Sequence, residues 1–475
     1  MSNEYKTPDL KSARMRKGEI LHERFTLDEE FFNIGKNLKY RIQTYGCQGN
    51  EADSEMISGI FEAMGFIRSF DERDADIILL NTCAIRENAE NRIWGEIGRL
   101  KSYQTKNPNL ILGICGCMPQ EEVVVNKILK SYPYVGLVFG THNINELPKY
   151  LKDVFVNKKR VIKVHSYEGA IVEDIPKVRM QTHKAWVSIM YGCDEFCTYC
   201  VVPFTRGKER SRKKEEIIKE VRELVSQGYQ EITLLGQNVN AYGKDFKDED
   251  YKFGDLLYDL DKTGINRIRF TTSHPRDIDG KTITAFKDCK SVMPHLHLPV
   301  QSGSNEVLKK MNRGYTKELY LDVIERLKAV KPDISITTDI IVAFPYEEEK
   351  DFQETLDLVK KVGFEGAFTF IFSRRSGTPA DKYPDIIPAE VQKERLLRLN
   401  KVINEGYLRG NKRFLGKTVK VLVDGFSKTD DTKLTGYSEH NKLVNFTGDE
   451  TKIGKIVLVE VTDAKTWYLE GIEVK

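Results

Sequence analysis

Eight cysteines stand at positions 47, 83, 115, 117, 193, 197, 200 and 289, and seven fall within the first 200 residues. Three lie within one short segment, Cys193-Asp-Glu-Phe-Cys197-Thr-Tyr-Cys200, spaced C-x3-C-x2-C. Thiolates ligate iron–sulfur clusters. Three at close range hold three irons of a four-iron cluster and leave the fourth open, as an open position marks a catalytic metal site generally. An open iron can chelate the amino and carboxylate groups of S-adenosylmethionine (SAM). An electron from the cluster then cleaves the sulfonium to a 5′-deoxyadenosyl radical, chemistry that belongs to the cofactor. Zinc is the competing reading, but such zinc sites take four ligands, commonly as two C-x2-C-like pairs. No fourth Cys or His lies nearby in sequence, and His183 is across the preceding strand. Cys193, Cys197 and Cys200 are therefore read as catalytic, metal-binding residues.

The other clustered cysteines share no local motif. Cys47 follows the strand-like KYRIQTYG, Cys83 ends DIILLNTC, and Cys115 and Cys117 end LILGICGC. In a parallel α/β sheet, sites form outside the carboxyl ends of the strands, so three thiols converge on one edge. Spacing does not choose between Cys115 and Cys117, since two residues apart on a strand both point to one face. Gln48, Asn50, Asn81 and Thr82 are expected to form a polar cofactor rim. Cysteines are common in buried strands, but three successive strand ends weaken that plainer reading. Cys289, in KDCKS, is read as a plain thiol.

The elements that must position these thiols are legible as alternating runs. Residues 1–36 are polar and read as a flexible extension with one short helix. From 37 to 156, apolar strands alternate with amphipathic helices, which indicates a flavodoxin-like α/β domain with a parallel sheet covered on both faces. Residues 156–180 read as a linker with a strand or two. From 179 to 410, AWVSIM, EITLLG, RIRFTT, HLHLP, ISITTDIIVAF and GAFTFIF alternate with helices such as KEEIIKEVRELVSQG, a full or partial β/α barrel. The triad follows its first strand, at the end where barrel enzymes place their chemistry. From 411 to 475, short strands separated by turn residues give a small β-barrel.

The chain has 475 residues, for a prior of about three domains. Its 40% hydrophobic and 31% charged residues exclude collagen-like and mostly disordered chains. No apolar run reaches the roughly 20 residues of a membrane helix, and the N-terminus has no apolar signal region. A cytoplasmic location is expected. A net charge of +3 is too balanced to argue for nucleic acid by itself, so a basic footprint must be local.

TYGCQ, NTCAIRENAE, GCM, FGTHNI, MYGCDEFCTYCVVPFTRGKERSR, LLGQNVNAYG, FTTSHP, HLPVQSGS and TTDIIV together resemble the radical-SAM methylthiotransferase family. They are most similar to its branch acting on dimethylallyl-adenosine in tRNA, over about residues 38–475. The resemblance implies a methylthiotransferase domain, a radical-SAM domain and a C-terminal TRAM barrel. It implies two [4Fe-4S] clusters, one on Cys47, Cys83 and Cys117, the other on Cys193, Cys197 and Cys200. The GCM context selects Cys117 over Cys115. The resemblance further implies that one SAM would methylate a sulfur on the first cluster and a second SAM would supply the radical that takes hydrogen from carbon 2 of the adenine. The implied partners are a tRNA anticodon loop carrying dimethylallyl-adenosine and an electron donor such as a flavodoxin or ferredoxin. The protein is expected to act as a monomer.

The sequence departs from the family's usual residues at Gly49, Ala343, Tyr346 and Phe372. Ala343 replaces a glycine, and its methyl is expected to crowd a close backbone approach near the cofactor. Gln237, Ser302 and Gly303, at strand ends, are candidate SAM contacts. Arg206, Lys208, Arg210 and Arg212 form a basic run, continued by Lys213 and Lys214, with Tyr191, Phe196, Tyr199 and Phe204 interleaved. Phosphate contacts plus stacking of a base are the expected role, against the plainer reading of a solvated helix start. His295 and His297 are expected to be packed or hydrogen-bonded. Two sister activities compete, on threonylcarbamoyl-adenosine in tRNA and on a ribosomal protein aspartate. A zinc-structural or RNA-binding protein without turnover is the rival of another class.

Overall fold

The computed structural model describes residues 19–84, 87–165, 169–384 and 386–474. The backbone divides into two compact units. One holds the residues up to Met180 with Tyr191–Phe196 and Cys200–Arg212. The other holds Gln181–Met190, Cys197–Tyr199 and Lys213–Lys475.

The first unit opens with β1 (His22–Arg24). A six-stranded sheet follows: β2 (Lys39–Tyr45), β3 (Ile67–Arg68), β4 (Ile77–Thr82), β5 (Ile111–Gly116), β6 (Val135–Phe139) and β7 (Val161–Lys163). All its pairings are parallel, in the order β3-β2-β4-β5-β6-β7. The crossovers carry α1 (Gln48–Ala63), α2 (Glu87–Lys106), α3 (Glu122–Ser131) and α4 (Leu147–Phe155). β4 is buried along its whole length, as a strand covered on both faces must be. Its alternate residues split between two cores. Leu79 packs with Ile57, Phe61 and Phe139, and Ile78 and Leu80 pack with Ile97, Ile114 and Ile128. The first five strands take the 2-1-3-4-5 order of flavodoxin-like folds, with the switch point between β2 and β4. β7, from the expected linker, adds the sixth.

Of the expected extension over residues 1–36, residues 1–18 lie outside the described residues, and residues 19–36 pack onto the unit. β1 pairs in parallel with β8 (Ile171–Glu173), and Phe31 is buried in the core of α1 and α4. Phe25, Leu27 and Ile34 pack against the same core. Charged neighbours hide these four apolar residues from a reading of periodicity.

In the second unit, β9 (Lys184–Ser188) begins a new parallel series. The chain then runs through β10 (Met190–Tyr191), the triad loop, α5 (Val202–Thr205) and β11 (Arg210–Ser211). The series continues with α6 (Lys214–Ser226), β12 (Glu231–Leu235), α7 (Phe253–Asp261), β13 (Arg267–Phe270) and α8 (Gly280–Asp288). It ends with β14 (His295–His297), α9 (Asn305–Lys310), α10 (Lys317–Val330), β15 (Ser335–Val342), α11 (Glu349–Val362) and β16 (Ala367–Ile371). The strands pair as β9-β12-β13 and β14-β15-β16. Ile268 N–H donates to Ser291 O at 2.7 Å and joins the halves. The result is a six-strand partial barrel. Helix spacing explains the outer layer: α6 buries Ile217, Val221 and Leu224 on one stripe. α12 (Ala389–Lys412) packs Leu399 and Ile403 into the core that Ala367 and Ile371 of β16 join. The alternate residues Phe368 and Phe370 face the other way and are 61% and 39% exposed.

β17 (Thr418–Phe426), β18 (Leu434–Ser438), β19 (Leu443–Thr447), β20 (Ile456–Ala464) and β21 (Leu469–Glu473) close a barrel in the order β17-β18-β19-β21-β20. Val421, Val444, Phe446 and Val459 fill it, and closure removes the sheet edges. Among the described residues, no helix is long and apolar enough to cross a membrane.

Candidate functional site

At the switch point of the first unit, three strand ends are tied together by buried polar side chains. Asn50 Nδ2 donates to Asn81 Oδ1 at 3.1 Å and Thr82 O at 3.2 Å. Asn81 Nδ2 returns to Asn50 O and Ser54 Oγ, both at 2.8 Å. Thr82 Oγ1 donates to Cys115 O at 2.7 Å. Asn50, Asn81 and Thr82 are fully buried. Asn50, Asn81 and Thr82 of the expected cofactor rim instead form a network that fixes the loops bearing the thiols, and Gln48 is half-buried at the start of α1.

Cys47 caps the N-terminus of α1, a place that favours a thiolate. A hydrogen bond shared with Cys83, and then the charge of Arg206, hold it down to about 5 against burial. Gly116 separates Cys115 from Cys117. Its φ of +98° ends β5, and a Cβ there would lie 2.4 Å from Asn81 Oδ1 and Thr82 O. The two cysteines therefore do not share a face, contrary to the strand-spacing argument. Cys115 packs in the apolar core with Phe61 and Phe139, where burial pushes its thiol well up. Cys117 turns out beside Ala84 and Val201. Arg206 Nε donates to its Sγ at 3.1 Å, and burial pushes that thiol up to about 11. Arg206 thus acts on both Cys47 and Cys117, and Cys83 joins the set through its hydrogen bond with Cys47. Soft sulfur donors with a neighbouring cation suit an iron–sulfur group, whose binding deprotonates the thiols.

The triad loop follows β10. Gly192 has φ +79°, and a Cβ on it would lie 2.0 Å from Lys208 O. Cys193 N–H donates to Gly207 O at 3.0 Å, and Cys193 is buried. Cys200 is half-buried. In the second unit, Cys197 is buried, and Arg313 Nη1 donates to its Sγ at 3.2 Å. Arg313 is itself buried, with Nε toward Tyr315 Oη at 3.3 Å. Thr198 N–H donates to Met311 O at 3.0 Å and anchors the loop beside Arg313. Sequence reasoning missed Arg313, since its segment MNRGYT carries no metal-ligand pattern.

Three residues of the expected RNA-binding run are not surface residues. Arg206, Arg210 and Arg212 are 6%, 7% and 5% exposed. Arg206 pairs with Asp53 at 2.6 Å, and Arg212 with Glu173 at 2.5 Å. Arg210 donates to Arg206 O at 3.1 Å and to Gly169 O. Their partners are remote in sequence, so the run only looks like a solvated basic stretch. Lys208 is half-buried.

Two expected SAM contacts are also taken up by packing. Ser302 is fully buried with Oγ 3.3 Å from Thr355 Oγ1. Gly303 donates its N–H to the same oxygen at 2.9 Å, and a Cβ on it would meet Thr355 Cα at 2.5 Å. These residues seat α11. Gln237 stands half-buried two residues past β12. His295 and His297 each bond Thr337 Oγ1 at 3.0 Å, as packed strand histidines do. His297 Nε2 also lies 3.3 Å from Asp339, and its ring meets Phe368 at 6.1 Å.

The family models match in three blocks: the uncharacterized protein family UPF0004 over residues 39–140, the radical SAM superfamily over 187–359 and the TRAM domain over 412–474. Among solved structures, the apo cobalamin-dependent SAM radical enzyme OxsB is similar with a TM-score of 0.51 at 13% identity. That match covers 78% of this chain and 56% of OxsB. The radical SAM methyltransferase TsrM from Kitasatospora setae, with cobalamin and a [4Fe-4S] cluster bound, also scores 0.51 at 13% identity, over 73% of this chain and 74% of that one. Both likenesses concern the fold. Curated relatives share far more. The tRNA-2-methylthio-N(6)-dimethylallyladenosine synthase of Oceanobacillus iheyensis is 54% identical over 99% of this chain and 91% of its own. That of Bacillus cytotoxicus is 56% identical over 98% and 92%. With 54% and 56% of residues shared with these relatives over nearly the whole chain, this chain belongs to the tRNA-2-methylthio-N(6)-dimethylallyladenosine synthase family.

Proposed function

We propose that the chain replaces the C2–H of N6-dimethylallyladenosine, next to the anticodon of tRNA, with a methylthio group. The observation that carries this is the pair of three-cysteine sets, each with a buried arginine on one sulfur, in a chain about 55% identical to synthases named for that product. We read the modules as 37–156, 179–410 and 411–475, with two [4Fe-4S] groups on Cys47, Cys83, Cys117 and on Cys193, Cys197, Cys200. When bound, such groups supply SAM cleavage at one open iron and a sulfur-carrying position at the other.

The chain's own residues hold and orient. Aryl C–H exchange of this kind has no acid–base route, so the protein need not place a general base. Gly192 lets the triad loop close on the Lys208 carbonyl, and Gln237 is the retained candidate for the SAM amino group. The face of the partial barrel away from α12 carries Phe368, Phe370 and the His297–Asp339 pair. We assign that face to the extruded base. Stacking on an aromatic ring contributes about 1–3 kcal/mol per base. The scheme asks for a low-potential electron donor of the flavodoxin or ferredoxin class, and for a monomer acting in the cytoplasm.

Nucleoside mass spectrometry of tRNA from cells with and without the gene tests the reading. Dimethylallyl-adenosine lacking its methylthio group should accumulate in the deletion. The gene should restore the modification and a Cys197→Ala copy should not. An unchanged nucleoside would overturn the substrate and turn attention to threonylcarbamoyl-adenosine and the ribosomal aspartate.

A further inference from the structure

Arg206 is placed to do more than pair with a carboxylate. Its Nε points at Cys117 Sγ, 3.1 Å away, while Nη1 and Nη2 reach Asp53 Oδ1 and Oδ2 at 3.3 and 2.6 Å. A Cβ built on Gly49 would lie 3.5 Å from Cys47 Sγ and 3.7 Å from Arg206 Nη2. Arg206 therefore touches one sulfur of the first set, Cys117, and its charge bears on a second, Cys47. Arg206 and Asp53 are both buried, so neither charge is screened by water. All of these residues belong to one compact unit.

A buried N–H donor aimed at a ligating sulfur favours the more electron-rich state of an iron–sulfur group, and hydrogen bonds to sulfur are among the settings of its potential. A buried positive charge acts in the same direction, and a buried negative charge opposes it. Here both are present 2.6 Å apart. Asp53 offsets much of the cation's long-range field and holds the fork so that its Nε–H faces Cys117. Arg313 makes the corresponding contact on Cys197, but its other described bonds go to Pro299 O and Tyr315 Oη.

We infer that Arg206 and Asp53 form a paired setting device for the first iron–sulfur group, Arg206 raising its reduction potential and Asp53 limiting that rise. The inference rests on the two-cluster reading above. Arg206 is a positioning residue here: it acts through Cys117.

The test uses the full-length chain with Cys193, Cys197 and Cys200 changed to Ala, reconstituted anaerobically with iron and sulfide. Its remaining group is titrated with EPR detection. Arg206→Gln should move the midpoint to more negative potential, changing the reduced-to-oxidised ratio at a fixed potential about tenfold, or ~59 mV for one electron. Arg206→Lys keeps a charge but loses the directed fork, and should shift the same way by less. Asp53→Asn should shift it in the opposite direction. A merely structural pair would lose iron in both variants without opposite signs. If Arg206→Gln does not load iron, Arg206→Lys and Asp53→Asn still carry the comparison. Equal midpoints in those two variants, or shifts of one sign, overturn the inference. A triple-alanine chain that binds no iron or sulfide overturns instead the two-cluster reading, and the inference with it.

Discussion

Ala343 shows how one residue can be read from sequence and still need the structure for its meaning. Its φ is +57°, a conformation that costs an L-residue roughly 1–2 kcal/mol. The family's usual glycine makes sense there as a backbone requirement. Ala343→Gly should raise stability by about 1 kcal/mol, because greater freedom in the unfolded chain offsets part of the relief. A rise in thermal midpoint of the apo chain checks this, and a fall would show that the alanine is not strained. Cys115 and Cys117 make the complementary case. Their spacing is ambiguous on a regular strand, and Gly116 removes the ambiguity by ending the strand between them. Cys115→Ala should keep full iron content and cost about 1 kcal/mol of packing. Cys117→Ala should lose the iron of the first set, as measured by iron and acid-labile sulfide per chain.

At the scale of elements, what was legible was what local pattern encodes. IILLNT reads as a strand buried on both faces, and it is one. KEEIIKEVRELVS repeats its apolar residues at helical spacing and forms α6. The six barrel strands were found in order for the same reason. Partners distant in sequence were not legible. RGKERSR looks like a solvated basic run, yet Arg212 pairs with Glu173 of β8 and Arg206 with Asp53 of α1. Arg212→Gln should therefore destabilise the chain by about 3–5 kcal/mol, the effect of leaving a buried carboxylate unpaired. Urea unfolding measures it, and the salt dependence of tRNA binding should not change. Phe368 predicts the reverse. It is 61% exposed on β16, so Phe368→Ala should barely move the unfolding midpoint. Loss of about 1–3 kcal/mol of base stacking should lower turnover roughly 5- to 150-fold, read as methylthiolated nucleoside formed per chain.

Across the molecule, the partial barrel and the C-terminal barrel meet through buried cations. Arg267 donates to Tyr437 O and Lys420 O, both at 2.9 Å, and Arg269 donates to Ser438 O at 2.7 Å. Glu231 offsets them from 2.9 Å at Arg269, and Glu365 holds Lys442 at 2.9 Å. His295 lies among these charges. Burial, then Arg269, His297, Lys442 and His440, hold it well below its ordinary 6.5. A neutral histidine in the folded state and a protonated one in the unfolded state mean that unfolding takes up a proton below about pH 6.5. Stability contributed in this way is complete above that pH and falls as pH drops, by up to about 1.4 kcal/mol per unit. Glu347 works in the opposite sense: burial raises it from 4.5 to about 7, so its contribution is complete at low pH and falls as pH rises through that window. The two slopes oppose one another in the wild-type chain, and substitution separates them. His295→Gln keeps an amide toward Thr337 Oγ1 but cannot be charged. Between pH 7.5 and 5.0 its urea midpoint should fall less than that of the wild type. Parallel loss in the two chains would show that His295 is not the group that makes this charge-lined junction sensitive to acid.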